Sequence, residues 1–411
     1  MSPNKKLNIC IVAREYPPET LWGGIGTFTY NLAQGLKNIG HQVDVLAFTF
    51  GEEISVDDNG VTIHRIQSPK IPFSKKTYWD VVNWALSPFA FFYSHKISKK
   101  LDELHVNRKY DVIDFPEHIG EGFHTILKQK YPSLVRLYTP LSLIGELGLN
   151  KSTNSFDYFL FGLMEKSSIN RGTIINSPSK SLATLVADKF RIKKNIDLIY
   201  NPIDTDRFSP KLSPKKSDDK SIKVLFIGRL TDRKGVHILA RAIPEILKIN
   251  NSIKFTIIGN DAEGVEGFNT MKDFMMDVFE KNSVLENVNV MDAVPYDDLP
   301  DIYNSADISV VPSLYDNSPY TCLEAMSCGL PVISTSSGGM PEYIDNDING
   351  KIIPPADVNS LVEAVLWFAN DDSRIFEYGN RAREKSVREF KREAVAEKIT
   401  KLYLEAIEIY K

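Results

Sequence analysis

Cysteine is scarce in this 411-residue chain: there are three, Cys10, Cys322 and Cys328. An odd number without metal-ligand spacing excludes a disulfide-stapled scaffold and points to a reducing compartment, the cytoplasm. Long apolar runs are missing too. The first, Leu7 to Ala13, is interrupted by Asn8 and ends at Arg14 and Glu15. It is too short for a signal segment and reads as a buried strand. No run approaches the roughly 18 apolar residues of a membrane span. Neither sign of charge dominates: 49 Lys+Arg against 53 Asp+Glu leave a net charge of −4. No bulk basic field therefore addresses nucleic acid. Residues 1–205 hold 24 basic and 20 acidic side chains, the remainder 25 and 33. The mild excess in the first half suits an anionic acceptor or a membrane surface, and equally suits scattered solvated charge.

What is present is a strand–helix alternation that runs twice. With 43% hydrophobic residues, the chain is long enough for two domains, each with its own core. "LNICIVA" precedes a Gly-rich turn and the helical pattern "IGTFTYNLAQGLKNIG"; "HQVDVLAF", "YDVIDF", "SLVRLY" and "GTIINS" read as further strands. The pattern restarts with strand "IKVLFIG", helix "GVHILARAIPEILKI" and strands "KFTIIG", "VNVMDAV" and "DISVVPS". This predicts an α/β protein of two doubly wound parallel-sheet domains. The expected division is 1–205 and 206–390, entered through the polar stretch 209–221, with an amphipathic C-terminal helix, 391–411, docking back on the first domain. Ligands of such sheets bind beyond the C-terminal ends of the strands, so the chemistry is sought in the loops there.

Three loops qualify. Gly23, Gly24 and Gly26 lead into a helix, where backbone can approach a phosphate. The position completing a dinucleotide fingerprint is Thr29, so that motif fails and a tight turn explains the glycines equally well. In "GRLTDRKG", Gly228 and Gly235 bracket Arg229 and Lys234, cations suited to a diphosphate as well as to plain solvent exposure. In "PSLYDNSPYTCLEAMSCG", Ser318 is a candidate N-cap, Pro319 a first helical residue and Gly329 a stop, predicting a helix over about 319–328. Asp316 lies ahead of that helix and Glu324 inside it. An acid for ribose hydroxyls, amides for a diphosphate and an acid for a transferred group would together make a nucleotide-sugar site.

Asp316, seven residues, Glu324 and "AMSCGLPV" resemble the signature of the retaining glycosyltransferases of family 4. The chain also resembles that family in "GGIGTFTYNLAQGLKNIGHQVDVL", "IYNPIDTDRFSP", "LFIGRLTDRKGVHILARAI" and "SGGMPEYIDNDINGKIIPPAD". The resemblance implies the GT-B fold, two Rossmann-like domains facing a central cleft. It implies transfer of a sugar from a nucleotide-diphosphate sugar, UDP-sugar before GDP-mannose, to a hydroxyl acceptor. By the same resemblance Gly23 and Gly24 approach the donor, Arg229 and Lys234 hold the diphosphate, and Glu324 binds the ribose. Asp316 contacts the transferred sugar, Ser318, Tyr320 and Thr321 line the phosphate seat, and the backbone of Val294 and Pro295 reads the base. Two positions depart from the family pattern. Asp316 is one methylene shorter than the usual Glu, and Tyr138 stands where many members carry His. Tyr138 donates a hydrogen bond but does not titrate near neutrality. His118 in "DFPEHIGEG" is a second candidate beside the sugar, or an ordinary loop histidine.

Asp204-x-Asp206 mimics a metal-binding pair, but its place in the interdomain passage favours a capped turn. No metal and no cofactor beyond the nucleotide sugar is expected. Residues 78–100 mix aromatics with lysines, which suits peripheral contact with a membrane or lipid-linked acceptor, or simply a core helix. The acceptor is expected to be a glycan or lipid-linked sugar. Two other function classes stay open: a non-catalytic sugar-nucleotide-binding protein, and a nicotinamide oxidoreductase, against which the broken fingerprint counts.

Overall fold

The computed structural model describes residues 5–20, 22–67, 86–146, 155–211 and 221–411. The chain forms two compact units, Met1–Pro202 with Arg392–Lys411, and Ile203–Lys391.

The first unit is built on eight strands: β1 Asn8–Val12, β2 Gln42–Thr49, β3 Ser55–Asp58, β4 Val61–Gln67, β5 Val112–Pro116, β6 Ser133–Arg136, β7 Ile174–Ser177 and β8 Ile196–Leu198. Their order is β3-β4-β2-β1-β5-β6-β7-β8. All neighbours are parallel except β3 and β4. β5, β6 and β7 are buried along their whole length, as strands covered by helices on both faces must be. The antiparallel β3 is a departure from the all-parallel expectation. Its cause is a two-residue turn in which Asn59 and Gly60 both take positive φ, 52° and 87°, the geometry whose twist suits a hairpin.

The second unit has six parallel strands: β9 Lys223–Ile227, β10 Lys254–Ile258, β11 Val288–Met291, β12 Ile308–Val311, β13 Val332–Thr335 and β14 Gly350–Ile353. Their order is β11-β10-β9-β12-β13-β14. The amphipathic helix Val236–Ile249 buries Ile238, Leu239, Ala242, Ile243 and Ile246 against the sheet, in one core with Phe226, Phe255 and Val310.

Each sheet has one point where the chain reverses its direction of strand addition. It falls between β1 and β5 in the first unit and between β9 and β12 in the second. Connections leave those neighbours on opposite faces, so the loops at their C-terminal ends stand apart and open a crevice.

The C-terminal helix Arg392–Tyr410 belongs to the first unit. It packs on the helix Gly24–Asn38 at Gly35, where a Cβ would come within 2.5 Å of the Arg392 carbonyl oxygen. A buried polar network fixes its other face. Tyr403 donates to Asp114 Oδ2 at 2.6 Å, and Arg136 Nη2 donates to the same oxygen at 2.6 Å. The remaining donors of Arg136 are partly met by Asn176 Oδ1 at 2.5 Å. Removing one member of a buried network strands its partners. Tyr403→Phe should therefore destabilise the protein by about 1–3 kcal/mol. Urea unfolding is the measurement, and an unchanged midpoint would show that the helix is held by apolar packing alone.

Candidate functional site

The crevice of the six-stranded sheet is lined by the loops after β9 and β12. They are held together by backbone. Gly235 has φ 69°, and a Cβ on it would lie 1.8 Å from the Pro312 carbonyl oxygen. Leu314 N–H donates to the Arg233 carbonyl at 2.8 Å. This places Lys234 over Asp316: Nζ to Oδ2 is 2.6 Å. Arg233 Nη1 is 3.6 Å from the same oxygen and donates to the Tyr315 carbonyl at 3.1 Å. From the other side Gly338 approaches so closely that a Cβ would meet the Asp316 carbonyl oxygen at 2.1 Å, and Gly339 N–H donates to that oxygen at 2.9 Å. Burial alone would raise the Asp316 pKa. Lys234, then Arg233 and the Ser318 N–H, outweigh it and hold the carboxyl below its usual range.

The helix that follows is Tyr320–Ser327. Ser318 is not its N-cap, contrary to the expectation from sequence. Pro319, at φ −71° and ψ 119°, holds the cap position without a side-chain cap bond. Pro319 is itself still extended, so the helix begins at Tyr320, one residue later than expected, and the Ser318 hydroxyl pairs instead with the Tyr343 hydroxyl at 2.6 Å. Tyr320 and Thr321 occupy the first turn, where an α-helix does not use its own amides. Glu324 is buried, and its Oε2 accepts from Tyr303 Oη at 2.8 Å. Burial pushes its pKa up to about 7, against the pull of the Tyr303 hydrogen bond, Arg207 and Lys234. Lys234 thus acts electrostatically on both acids.

Arg229 is exposed at the head of the same loop, after Gly228, whose φ is 155°. Val294 is half-buried and Pro295 exposed. They follow β11, which is separated from β9 by β10. Asp204 Oδ1 accepts the N–H groups of Asp206 and Arg207, both at 3.1 Å, closing a turn. Among the described residues no group of three or more His, Cys, Asp or Glu is placed to hold a metal.

The remaining candidates belong to the first unit and line its own crevice. Gly23 precedes the helix Gly24–Asn38, and its carbonyl accepts Thr27 N–H at 2.9 Å. A Cβ on Gly23 would meet Glu15 Oε2 at 2.9 Å, whereas one on Gly24 would meet nothing within 4 Å. His118 follows β5, with Nδ1 3.4 Å from the Thr139 carbonyl. Burial, and then Arg14, push its pKa down to about 4, so the imidazole is neutral at pH 7. Tyr138 follows β6 and sets its ring edge-on to Phe28 at 5.5 Å. Burial pushes the phenol well above its ordinary pKa.

Several site residues carry no signal in the sequence. Tyr303 and Arg233 belong to no motif of their own, although Arg233 sits beside Lys234. Glu117, Glu121 and Glu165 are buried around His118 and Tyr138. Glu117 accepts Tyr138 N–H with both oxygens, at 2.9 and 2.8 Å, and Glu121 accepts Arg14 N–H at 3.0 Å. Glu165 accepts from the N–H groups of Ile119 and Leu141 and from the Ser142 hydroxyl, at 3.2, 2.7 and 2.8 Å. Two of these acids lie within "DFPEHIGEG", on either side of the histidine; their closeness to it is the one signal that could have marked them. The segment 78–100 lies partly outside the described residues. Its continuation is the helix Leu86–Arg108, which buries Phe89, Tyr93 and Ile97 and exposes Phe91 and Phe92. No helix among the described residues is long and apolar enough to cross a membrane.

Residues 209–385 match the family of glycosyl transferases group 1, and residues 22–207 match glycosyltransferase family 4. An uncharacterized glycosyltransferase of Methanocaldococcus jannaschii is 30% identical over 374 residues, covering 87% of this chain and 88% of that protein. A phosphatidylinositol N-acetylglucosaminyltransferase component of Arabidopsis thaliana is 24% identical, over 89% of this chain and 75% of its own. Among solved structures, sucrose-phosphate synthase of Thermosynechococcus elongatus aligns with a TM-score of 0.76 at 18% identity, over 97% of this chain and 99% of that one. Anabaena HepE in complex with UDP aligns with a TM-score of 0.70 at 15% identity, over the same two shares, 97% and 99%. The chain belongs to the group 1, family 4-like glycosyltransferases and has their GT-B fold.

Glu324 supplies a pH test of this arrangement. Its folded pKa of about 7 lies above the ordinary 4.5. The folded state therefore holds more protons between those values, and stability contributed by protonated Glu324 is lost as pH rises from about 4.5 through about 7. Glu324→Gln removes the charge, so the variant should gain on the native protein by on the order of 1–3 kcal/mol between pH 5 and pH 8. Thermal midpoints of both proteins at the two pH values measure it. The same gap at each pH would show that Glu324 titrates normally.

Proposed function

We propose that this protein is a retaining hexosyltransferase that takes a sugar from a nucleotide-diphosphate sugar, UDP-sugar before GDP-mannose, and places it on a hydroxyl acceptor. The observation that carries the proposal is that the loops after β9 and β12 bring Lys234 onto Asp316 just ahead of the helix Tyr320–Ser327, in which Glu324 is buried. Cations and helix amides suit the two phosphates, Glu324 the ribose, and Asp316 the transferred sugar. The UDP in the Anabaena structure supports the first choice of base. The phosphatidylinositol N-acetylglucosaminyltransferase relatives support a place in glycan, glycolipid or polysaccharide synthesis.

In the proposed reaction the acceptor oxygen bonds to the anomeric carbon on the face the nucleotide leaves. The bond from that carbon to the phosphate oxygen breaks, and the acceptor proton passes to a donor phosphate oxygen. The nucleoside diphosphate departs with both electrons of the broken bond. Lys234, Arg229 and the helix amides stabilise its charge in place of a metal. A cytoplasmic location, peripheral to the membrane at most, agrees with three buried cysteines that form no disulfide.

Lys234→Ala and Arg229→Ala should each weaken nucleotide-diphosphate binding by about 1.5–3 kcal/mol, the loss of one charge-assisted contact. Asp316→Asn should lower turnover by about 10–150-fold without weakening the bare nucleotide. Calorimetry with UDP, GDP and ADP, beside release of nucleotide from the matching sugar donors, tests both. Unchanged affinity in both cation variants would overturn the phosphate assignment, and normal turnover in Asp316→Asn would remove that acid from the site.

Turnover should also survive excess EDTA. Activity lost to the chelator and restored by magnesium or manganese would overturn the metal-independent reading.

A further inference from the structure

Two cations share one carboxylate oxygen at the crevice. Lys234 Nζ is 2.6 Å and Arg233 Nη1 3.6 Å from Asp316 Oδ2. The two differ in how they are held. Lys234 is a point charge on a flexible stem, able to turn toward another anion. Arg233 is braced: its Nη1 donates to the Tyr315 carbonyl at 3.1 Å, its own N–H to Asp232 Oδ1 at 2.6 Å, and its carbonyl accepts Leu314 N–H at 2.8 Å. The last two bonds fix the Arg233 backbone, and the first anchors the guanidinium to an acceptor that Lys234 does not share. The Asp316 side chain is only 15% exposed, so water replaces a lost partner poorly and an unaccompanied charge there is costly.

We propose that Arg233 is a positioning residue that takes over Asp316 when a donor diphosphate draws Lys234 away. Lys234 then serves two anions in turn, and Arg233 keeps the acid ionised and aimed without touching the nucleotide. This rests on the donor-site reading above and extends it to a residue to which that reading gives no role. Without Arg233, recruitment of Lys234 would leave Asp316 unpaired, and diphosphate binding would weaken through a residue outside the contact.

A double-mutant cycle on nucleotide affinity tests the relay. Calorimetry with UDP, GDP and ADP is run on the native protein, Arg233→Ala, Arg233→Lys, Asp316→Asn and the Arg233→Ala/Asp316→Asn pair, with thermal midpoints as a check of folding. Arg233→Ala should weaken the preferred nucleotide about fivefold, and Arg233→Lys should recover most of that. In the Asp316→Asn background, where no charge needs a partner, Arg233→Ala should cost less than about twofold. Equal losses in both backgrounds would mean direct contact with phosphate and would overturn the relay, as would no loss in the native background. Native protein that binds none of the three nucleotides would overturn the donor-site reading itself.

Discussion

The close approach of Gly235 to the Pro312 carbonyl is the constraint on which the second unit's chemistry depends. β9 and β12 are neighbours whose connections run to opposite faces, so their loops would otherwise diverge. A residue with no Cβ, at φ 69° and at a place where a Cβ would fall 1.8 Å from the opposing oxygen, lets the two backbones touch. Everything polar at the crevice follows from that contact. Arg233 and Lys234 immediately precede it, so their side chains fall on Asp316. Gly338 makes a second glycine contact, from the loop after β13 onto the Asp316 carbonyl. The acid is gripped through its own backbone, and its geometry does not depend on a ligand arriving. Such preorganisation is what turns an ordinary ion pair into a site.

The first unit ties its crevice loops with buried carboxyl groups instead. Its crevice loops are stitched by Glu117, Glu121 and Glu165, buried acids that accept backbone N–H groups. A buried acceptor with two oxygens can satisfy several loop amides that no strand or helix reaches. Burial pushes Glu117 up to about 8 and the other two to about 7, while their amide donors favour the charged form. These acids hold the backbone on which His118 and Tyr138 sit. The second unit leaves its cations half-buried or exposed, where a charged ligand can displace one pairing with another.

Legibility in the sequence differs by kind of feature. The strands β1, β2, β5, β9, β10 and β12 are readable because both faces of a covered parallel strand are apolar and the run is short. The hairpin β3–β4 is signalled by Asn59-Gly60, a turn pair that a pattern of parallel strand–helix alternation does not anticipate. Ser318 misleads because Pro319 itself stays extended, at ψ 119°, so the helix begins one residue later and the cap position passes to the proline. The family signature locates Asp316 and Glu324 by spacing, and position in a loop locates Lys234. That Lys234 and Asp316 meet is beyond reach, for they are 82 residues apart and nothing local encodes their contact. Tyr303 is hidden for the same reason. Its partner Glu324 lies 21 residues on, across a strand.

The unusual aspartate gains a physical reading from its neighbours. A shorter side chain keeps the carboxylate close to its own backbone, and that backbone is fixed by Gly338 and Gly339. The cations must come to it, and Lys234 does so on a long side chain that is 18% exposed. One acid between two cations suppresses their mutual repulsion, and Asp232, which accepts the Arg233 N–H, brings a second acid to the cluster. A glutamate at the same place would carry its charge one methylene further from the Gly338–Gly339 clamp, so the 2.6 Å pairing with Lys234 would have to be remade in another geometry. The aspartate is thus consistent with a loop in which Lys234 is held firmly enough to be placed and loosely enough to be recruited.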